Sequence, residues 1–134
     1  MRWPWQETIY EDGVAYLTRY TLLWTPWFRL YLHHIQRSDA DRALHDHPWW
    51  FASLILRGGY MEFLPRGYKV RRPGSVIFHR AEDAHRIQLH LNTPDLNEIP
   101  AWTLVLCGRK ARAWGFVTEQ GWVDAQTYLC QKGL

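Results

Sequence analysis

Short β-prone segments separated by glycine and proline turns dominate this sequence. The runs YMEFL (60–64) and WTLVLCG (102–108) have the β-branched, aromatic and aliphatic residues typical of strands, and turns such as Gly58-Gly59 and Pro73-Gly74 interrupt the chain. Turns spaced about 8–12 residues apart are typical of an antiparallel sandwich, jelly roll or barrel. We therefore predict an all-β fold, with further strands within 14–23, 28–37, 50–56, 68–80, 85–91, 111–117 and 121–129.

The size and composition of the chain fit one compact core. Its 134 residues fall within the range of about 100–150 that is most common for domains, so residues 1–134 are expected to form a single domain. Hydrophobic residues make up 47% of the chain and aromatic residues 16%. Large rings of this kind fill the space between β-sheets well.

Charge and cysteine content argue against several classes of protein. A net charge of +3 is too small to indicate a nucleic-acid partner, and two cysteines cannot form a disulfide framework. No run approaches the roughly 20 apolar residues needed to cross a bilayer, and the first residues do not resemble a secretory signal. We expect a cytoplasmic protein without a membrane partner.

Two histidines one residue apart, His45 and His47, precede the predicted strand 50–56. Residues two apart on a strand point to the same face, so both imidazoles would project together, which is a chelating geometry. Imidazole nitrogen suits iron, nickel, copper and zinc. A third histidine from a neighbouring strand would complete such a site, and the spacing alone leaves five candidates: His33, His34, His79, His85 and His90.

The residues around this pair resemble the first motif of the cupin superfamily. That motif is H-x-H, three residues, Glu, six residues and Gly. Here His45-Asp46-His47 is followed by three residues, then Phe51, then six residues and Gly58. The spacing fits throughout, and only the acidic residue is missing, because Phe51 stands at its position.

The second cupin motif is also matched in order and spacing. It begins with a glycine, continues for five residues to a Pro-Gly turn, and places a histidine about eleven residues after the glycine of that turn. Gly67, Pro73-Gly74 and His85 reproduce this pattern, whereas Leu89 stands where the family has an asparagine. The resemblance covers residues 45 to 85, about a third of the chain.

The resemblance implies a jelly-roll β-barrel with His45, His47 and His85 as metal ligands. A three-histidine site without the usual glutamate is similar to that of thiol and diketone-cleaving dioxygenases, so Fe(II) is the expected metal, with zinc, nickel or copper as alternatives. The implied activity is that of a dioxygenase-like oxidoreductase on a small anionic or chelating substrate. The resemblance also implies a homodimer.

Other functions fit the same residues. A metal-dependent isomerase or lyase, a metal-free enzyme of the epimerase type, and a ligand-binding cupin without catalysis all stay open. No catalytic acid or base is singled out by the sequence. Four further residues are candidates for the pocket: Phe51; Tyr60, next to the Gly58-Gly59 turn; His79; and His34, which shares a predicted strand face with Leu30 and Leu32.

Overall fold

The structure is a computed structural model that describes residues 5–11, 13–39 and 43–131. These residues form twelve strands and one helix, in the following order: β1 (Gln6–Glu11), β2 (Val14–Trp24), β3 (Arg29–Ile35), β4 (Leu44–His45), β5 (Phe51–Arg57), β6 (Tyr60–Leu64), β7 (Gly67–Arg71), β8 (Val76–His79), β9 (Arg86–Leu89), β10 (Ala101–Cys107), β11 (Gly115–Thr118), β12 (Gly121–Asp124) and α1 (Ala125–Gln131). Within the described residues no helix combines the length and the hydrophobicity needed to cross a bilayer.

One layer of the fold is a six-stranded sheet in the order β1-β2-β3-β10-β5-β8, and every neighbouring pair in it is antiparallel. The second layer consists of two three-stranded sheets, β12-β11-β4 and β7-β6-β9. An isolated antiparallel bridge between His45 and His85 joins these two sheets. The predicted all-β, antiparallel jelly-roll architecture is therefore confirmed.

Alternating side chains on the central strands face the space between the layers. On β10, Ala101, Thr103, Val105 and Cys107 are buried, whereas the residues between them are partly exposed. This alternation follows from the two-residue period of a strand. The largest core cluster gathers seven buried residues from both layers: Leu17, Ile35, Ile55, Tyr60, Ile77, Leu89 and Ala101.

The end of the chain corrects one sequence-based prediction. The strand predicted over 121–129 ends at Asp124, and α1 begins at Ala125. The Asp124 carboxylate accepts a hydrogen bond from the Thr127 N–H (3.1 Å), which is the contact that an N-terminal capping residue makes. The helix then buries Tyr128, which stacks on Phe116 with ring centroids 4.2 Å apart. The missed signal was the aspartate that caps the first turn.

The turn between β5 and β6 requires glycine for two reasons. Gly58 has φ +87°, a conformation that side chains rarely adopt, and a Cβ atom there would lie 2.4 Å from the carbonyl oxygen of Pro100. Gly74 has a similar φ of +91°, but a Cβ atom there would meet nothing within 4 Å. Alanine at Gly58 would meet both backbone strain and steric overlap, whereas alanine at Gly74 would meet backbone strain alone.

We predict that Gly58→Ala lowers the free energy of unfolding by about 3 kcal/mol or more, because strain and backbone overlap add. Gly74→Ala, which meets the strain alone, is expected to lower it by about 1 kcal/mol. Urea unfolding of both variants measures the difference. Equal losses would show that the Pro100 contact is unimportant.

Candidate metal centre

Three histidines meet where the two small sheets join. Their ring centroids lie 5.2 Å apart for His45 and His47, 5.0 Å for His45 and His85, and 4.9 Å for His47 and His85. Each ring offers one nitrogen, and these nitrogens all lie within 4.8 Å of one another. Three convergent imidazoles are a donor set suited to a divalent transition metal.

The backbone fixes two of these side chains relative to each other. His45 and His85 donate a backbone hydrogen bond to each other's carbonyl oxygen, both at 2.9 Å. Directly opposed residues of an antiparallel pair project from the same face of the sheet. The two imidazoles are therefore neighbours because of the strand pairing.

Asp46, between the two histidines of the H-x-H segment, anchors that segment to strands β11 and β12. Its buried carboxylate accepts hydrogen bonds from the Gly115 N–H (2.7 Å) and the Trp122 indole N–H (2.9 Å), and it forms an ion pair with Arg112 (2.8 Å). With Asp46 held in this way, His45 and His47 both reach the cavity. No pattern in the sequence pointed to this role of Asp46.

A buried carboxylate lies behind His85. Glu62, on β6, is 0% exposed, and its Oε2 atom lies 2.6 Å from both His85 Nδ1 and His79 Nε2. Its Oε1 atom accepts hydrogen bonds from Arg71 Nε (2.9 Å) and Nη2 (2.7 Å). Burial alone would raise the pKa of Glu62, but the hydrogen bonds from His79 and His85 outweigh it and hold the pKa below its usual range. The carboxylate is therefore ionised.

Glu62, His79 and His85 also form a compact group of three metal-type donors. Two observations argue against a metal ion in their midst. Arg71 already supplies a positive charge to the same carboxylate, and both histidine nitrogens sit at hydrogen-bonding distance from one carboxylate oxygen. Since His85 donates through Nδ1, its Nε2 atom is the one available to a metal in the cavity.

At least two of the three clustered histidines, His45 and His47, have lowered pKa values and therefore favour the neutral form that binds a metal. Burial is the main cause that lowers the pKa of His45, with the Asp39 carboxylate acting in the opposite direction. Burial also holds the pKa of His47 well below its usual value, and the neighbouring His85 adds to the effect. Neutral imidazole is the form that binds metals. His47 Nδ1 is moreover buried without a hydrogen-bond partner, so this donor set fits a divalent metal ion.

The histidines open into a cavity of about 150 Å³ between the layers. Its wall is mainly apolar and aromatic, and it also contains Ser53, Thr103, Cys107, Arg19 and His33. Arg19 Nε donates a hydrogen bond to His33 Nε2 (3.2 Å), and its guanidinium carbon lies 4.6 Å from the centre of the Tyr31 ring. Burial, followed by the charge of Arg19, lowers the pKa of His33 to about 3. Arg19 is therefore the charged group in the described wall.

Comparison with solved structures identifies the architecture. No protein-family model matches the sequence, and no curated protein matches it. The structure of Rru_A2000 from Rhodospirillum rubrum, a cupin-2 domain, has a TM-score of 0.65 and 14% identity, and the match covers 98% of this chain and 85% of that one. The chain has a cupin fold.

Two other solved structures share this cupin fold at lower coverage. The Fe(II) form of HppE has a TM-score of 0.61 and 14% identity; the match covers 76% of this chain but only 55% of HppE. A putative mannose-6-phosphate isomerase from Ralstonia eutropha has a TM-score of 0.58 and 17% identity, with 69% of this chain and 84% of that one covered. At these identities the similarity concerns the fold.

Two of the predicted pocket residues of the cupin fold line the cavity. Phe51 is buried, and its ring centroid lies 4.6 Å from that of His47 and 5.7 Å from that of His85. The position where cupins carry a glutamate thus places an aromatic ring beside two of the histidines. Tyr60 also lines the cavity, and burial, reinforced by the nearby Glu62 charge, raises its pKa. His79 lies outside the wall; it contacts Glu62, and its ring centroid lies 5.1 Å from that of His85.

The prediction for His34 is wrong. Its ring stacks on Trp102 on the face of β3 that points away from the cavity, with centroids 4.1 Å apart, whereas His33 lines the cavity. The alternation along β3 was correct, but both faces carry large apolar residues. Hydrophobicity therefore could not show which face was internal.

Besides Asp46, sequence reasoning missed Arg19 and Glu62. Arg19 comes from β2, outside the two motifs, and Glu62 follows the Gly58-Gly59 turn by a few residues. His33, one of the five candidates for the third histidine, lies in the cavity wall outside the cluster of His45, His47 and His85. For Glu62 a signal existed, because an acidic residue that alternates with the apolar residues of a buried strand requires a partner.

We predict that Glu62→Gln weakens binding of a divalent metal to the histidine cluster by about 10–100-fold, because His85 loses the carboxylate that orients its ring. Titration with Co²⁺, monitored by visible absorbance, measures the affinity. Glu82→Gln, at a residue whose side chain is 56% exposed, is the matched control and is expected to have no effect. A folded Glu62→Gln protein with unchanged Co²⁺ affinity would contradict the prediction.

Proposed function

We propose that this cupin is a metal-dependent enzyme that holds one divalent transition metal through His45, His47 and His85. We further propose that the metal is Fe(II) and that the reaction is an oxidation of dioxygenase type on a small anionic substrate. The observation that carries the proposal is the convergence of three imidazoles, two of them with lowered pKa, on one cavity between the layers. When bound, Fe(II) would supply redox chemistry with dioxygen and act as a Lewis acid.

The charge balance of the site supports an anionic substrate. The three histidines are proposed to bind as neutral ligands, and the Glu62 charge is already matched by Arg71. A divalent cation at this site would keep most of its charge. Arg19 adds a further positive charge in the wall, and its ion-pair partner Glu7, at 3.7 Å, is 64% exposed and therefore screened by solvent.

The remaining wall residues limit what the substrate can be and how it binds. A cavity of about 150 Å³ has room for a molecule of roughly benzene size. The raised pKa of Tyr60 keeps its hydroxyl protonated, so it can donate a hydrogen bond to a substrate oxygen. Burial raises the pKa of Cys107 to about 12, which keeps a thiolate nucleophile out of the mechanism. Phe51 and Trp49 exclude water from the histidines.

The resemblance to Fe(II) HppE supports iron as the metal, and the absence of a carboxylate at Phe51 fits the three-histidine type of dioxygenase. A second candidate is a metal-dependent isomerase, which the similarity to a putative mannose-6-phosphate isomerase favours. The two candidates differ in whether dioxygen is consumed.

The first test is the metal content of untagged protein that has been purified without chelator. We expect near-stoichiometric metal in the wild type and loss of at least nine-tenths of it in His85→Ala. His90→Ala is the matched control, because His90 lies outside the cavity wall, and it is expected to keep its metal. Absence of metal from the wild type, even after anaerobic reconstitution with Fe(II), would refute the proposal.

Oxygen uptake then separates the two candidate reactions. Iron-loaded protein is mixed with a panel of small thiols, diketones and hydroxy acids that each carry an anionic group. Substrate-dependent oxygen consumption that is abolished by His85→Ala is expected for a dioxygenase. Metal binding together with turnover of a sugar phosphate, in the absence of oxygen consumption, would favour the isomerase.

A further inference from the structure

The three-stranded sheet β7-β6-β9 has an outer face that combines aromatic rings with positive charge. On β6, Tyr60 and Glu62 are buried and point inward, so the residues that alternate with them point outward. The cross-strand registers place two rows of directly opposed residues on this outer face: Tyr68, Phe63 and Arg86 in one row, and Val70, Met61 and Gln88 in the other. We call these six residues the platform.

The first row of the platform brings flat groups together. Tyr68 is 61% exposed on the edge strand β7, and its ring centroid lies 6.0 Å from that of Phe63. The guanidinium carbon of Arg86 lies 4.5 Å from the centre of the Phe63 ring. Unpaired nucleobases stack on aromatic rings and on the planes of arginine guanidinium groups. The Tyr68 ring and the Arg86 guanidinium are therefore two neighbouring groups on which a base can stack.

Positive charge surrounds the platform. Residues 63–81 contain five Lys or Arg and no Asp or Glu. Arg66 lies in the turn between β6 and β7, Lys69 lies on β7, and Arg72 follows it; all three are exposed. Among the described residues, neither these three nor Arg86 forms an ion pair. The net charge of +3 did not indicate this surface, because acidic residues elsewhere in the chain offset the local excess.

Carboxylates near this sheet leave that positive charge in place. Glu62 points inward and is paired with Arg71. On the β9 side, Asp39 and Glu98 each accept a hydrogen bond from a backbone N–H group. The exposed basic residues lie at the opposite edge, on and beside β7. The surface around the platform is therefore complementary to a polyanion.

We propose that the platform binds single-stranded nucleic acid. Its bases stack on Tyr68 and Arg86, and its phosphates pair with the three exposed basic residues around the platform. Proteins that bind single strands combine a positively charged track for the backbone with flat side chains for the bases. A duplex cannot use the flat groups, because its bases are already paired and stacked. The platform faces away from the cavity, so the proposal does not depend on the metal centre.

Fluorescence anisotropy of a labelled oligo(dT) of about 12 nucleotides, mixed with the full chain, tests the proposal. We expect saturable binding, and for three phosphate contacts the logarithm of the association constant should fall with the logarithm of salt concentration with a slope of about −2. Arg66→Ala/Arg72→Ala should weaken binding at least tenfold and reduce the slope by about 1. The control Arg57→Ala/Arg109→Ala removes the same charge from exposed residues next to the six-stranded sheet and should keep the affinity.

A second pair of variants separates base stacking from attraction by charge alone. Tyr68→Ala should weaken binding at least fivefold and leave the salt slope unchanged, because the stacking contact carries no charge. The control Tyr10→Ala changes a tyrosine of β1 that is 63% exposed, and it should bind like the wild type. Circular dichroism verifies that each variant is folded. Absence of oligo(dT) binding, binding that Tyr68→Ala leaves unchanged, or equally tight binding of the corresponding duplex would each overturn the proposal.

Discussion

The backbone bridge between His45 and His85 is the contact on which the candidate metal centre depends. Two hydrogen bonds of 2.9 Å join strands that belong to separate three-stranded sheets. The bridge closes the second layer over the cavity, and the same pairing places two imidazoles side by side. One interaction therefore both closes the second layer and brings the two imidazoles together, because directly opposed residues of an antiparallel pair project from the same face.

Around this bridge, two buried carboxylates hold the histidines from opposite sides. Hydrogen bonds from Gly115 and Trp122 to Asp46 hold the H-x-H segment against β11 and β12, and the hydrogen bond from His85 to Glu62 holds His85 against β6. Moving a carboxylate out of water costs several kcal/mol, and this is offset only when its oxygens are fully hydrogen-bonded and an opposite charge is near. Arg112 and Arg71 meet that requirement. The fold thus contains two buried carboxylates that are costly to desolvate and that orient the histidines.

Much of the fold could be predicted from the sequence because strand and turn signals are local. Alternation indicated β3, β-prone composition indicated β5 and β10, and the glycine turns marked where strands end. The H-x-H spacing and the Pro-Gly turn also led to three histidines that the structure brings together. Their role as metal ligands stays a proposal. The capped helix α1 was missed because Gly121–Asp124 and the residues after it have a strand-like composition, and the capping contact of Asp124 was overlooked.

The failures at the site have a common physical cause. Which face of a strand is internal depends on the partners of that strand, and β3 carries large apolar side chains on both faces, so His33 and His34 were exchanged. Arg19 and Glu62 act through contacts with residues that are distant in sequence, which no spacing reveals.

X-ray absorption spectroscopy of the Fe(II)-loaded protein tests the central claim most directly. The account predicts a first coordination shell with three imidazole nitrogens and no protein carboxylate, and the loss of one imidazole in His47→Ala. A carboxylate or thiolate ligand in the wild type, or an unchanged number of imidazoles in His47→Ala, would contradict the claim that the His45–His85 bridge builds a three-histidine centre.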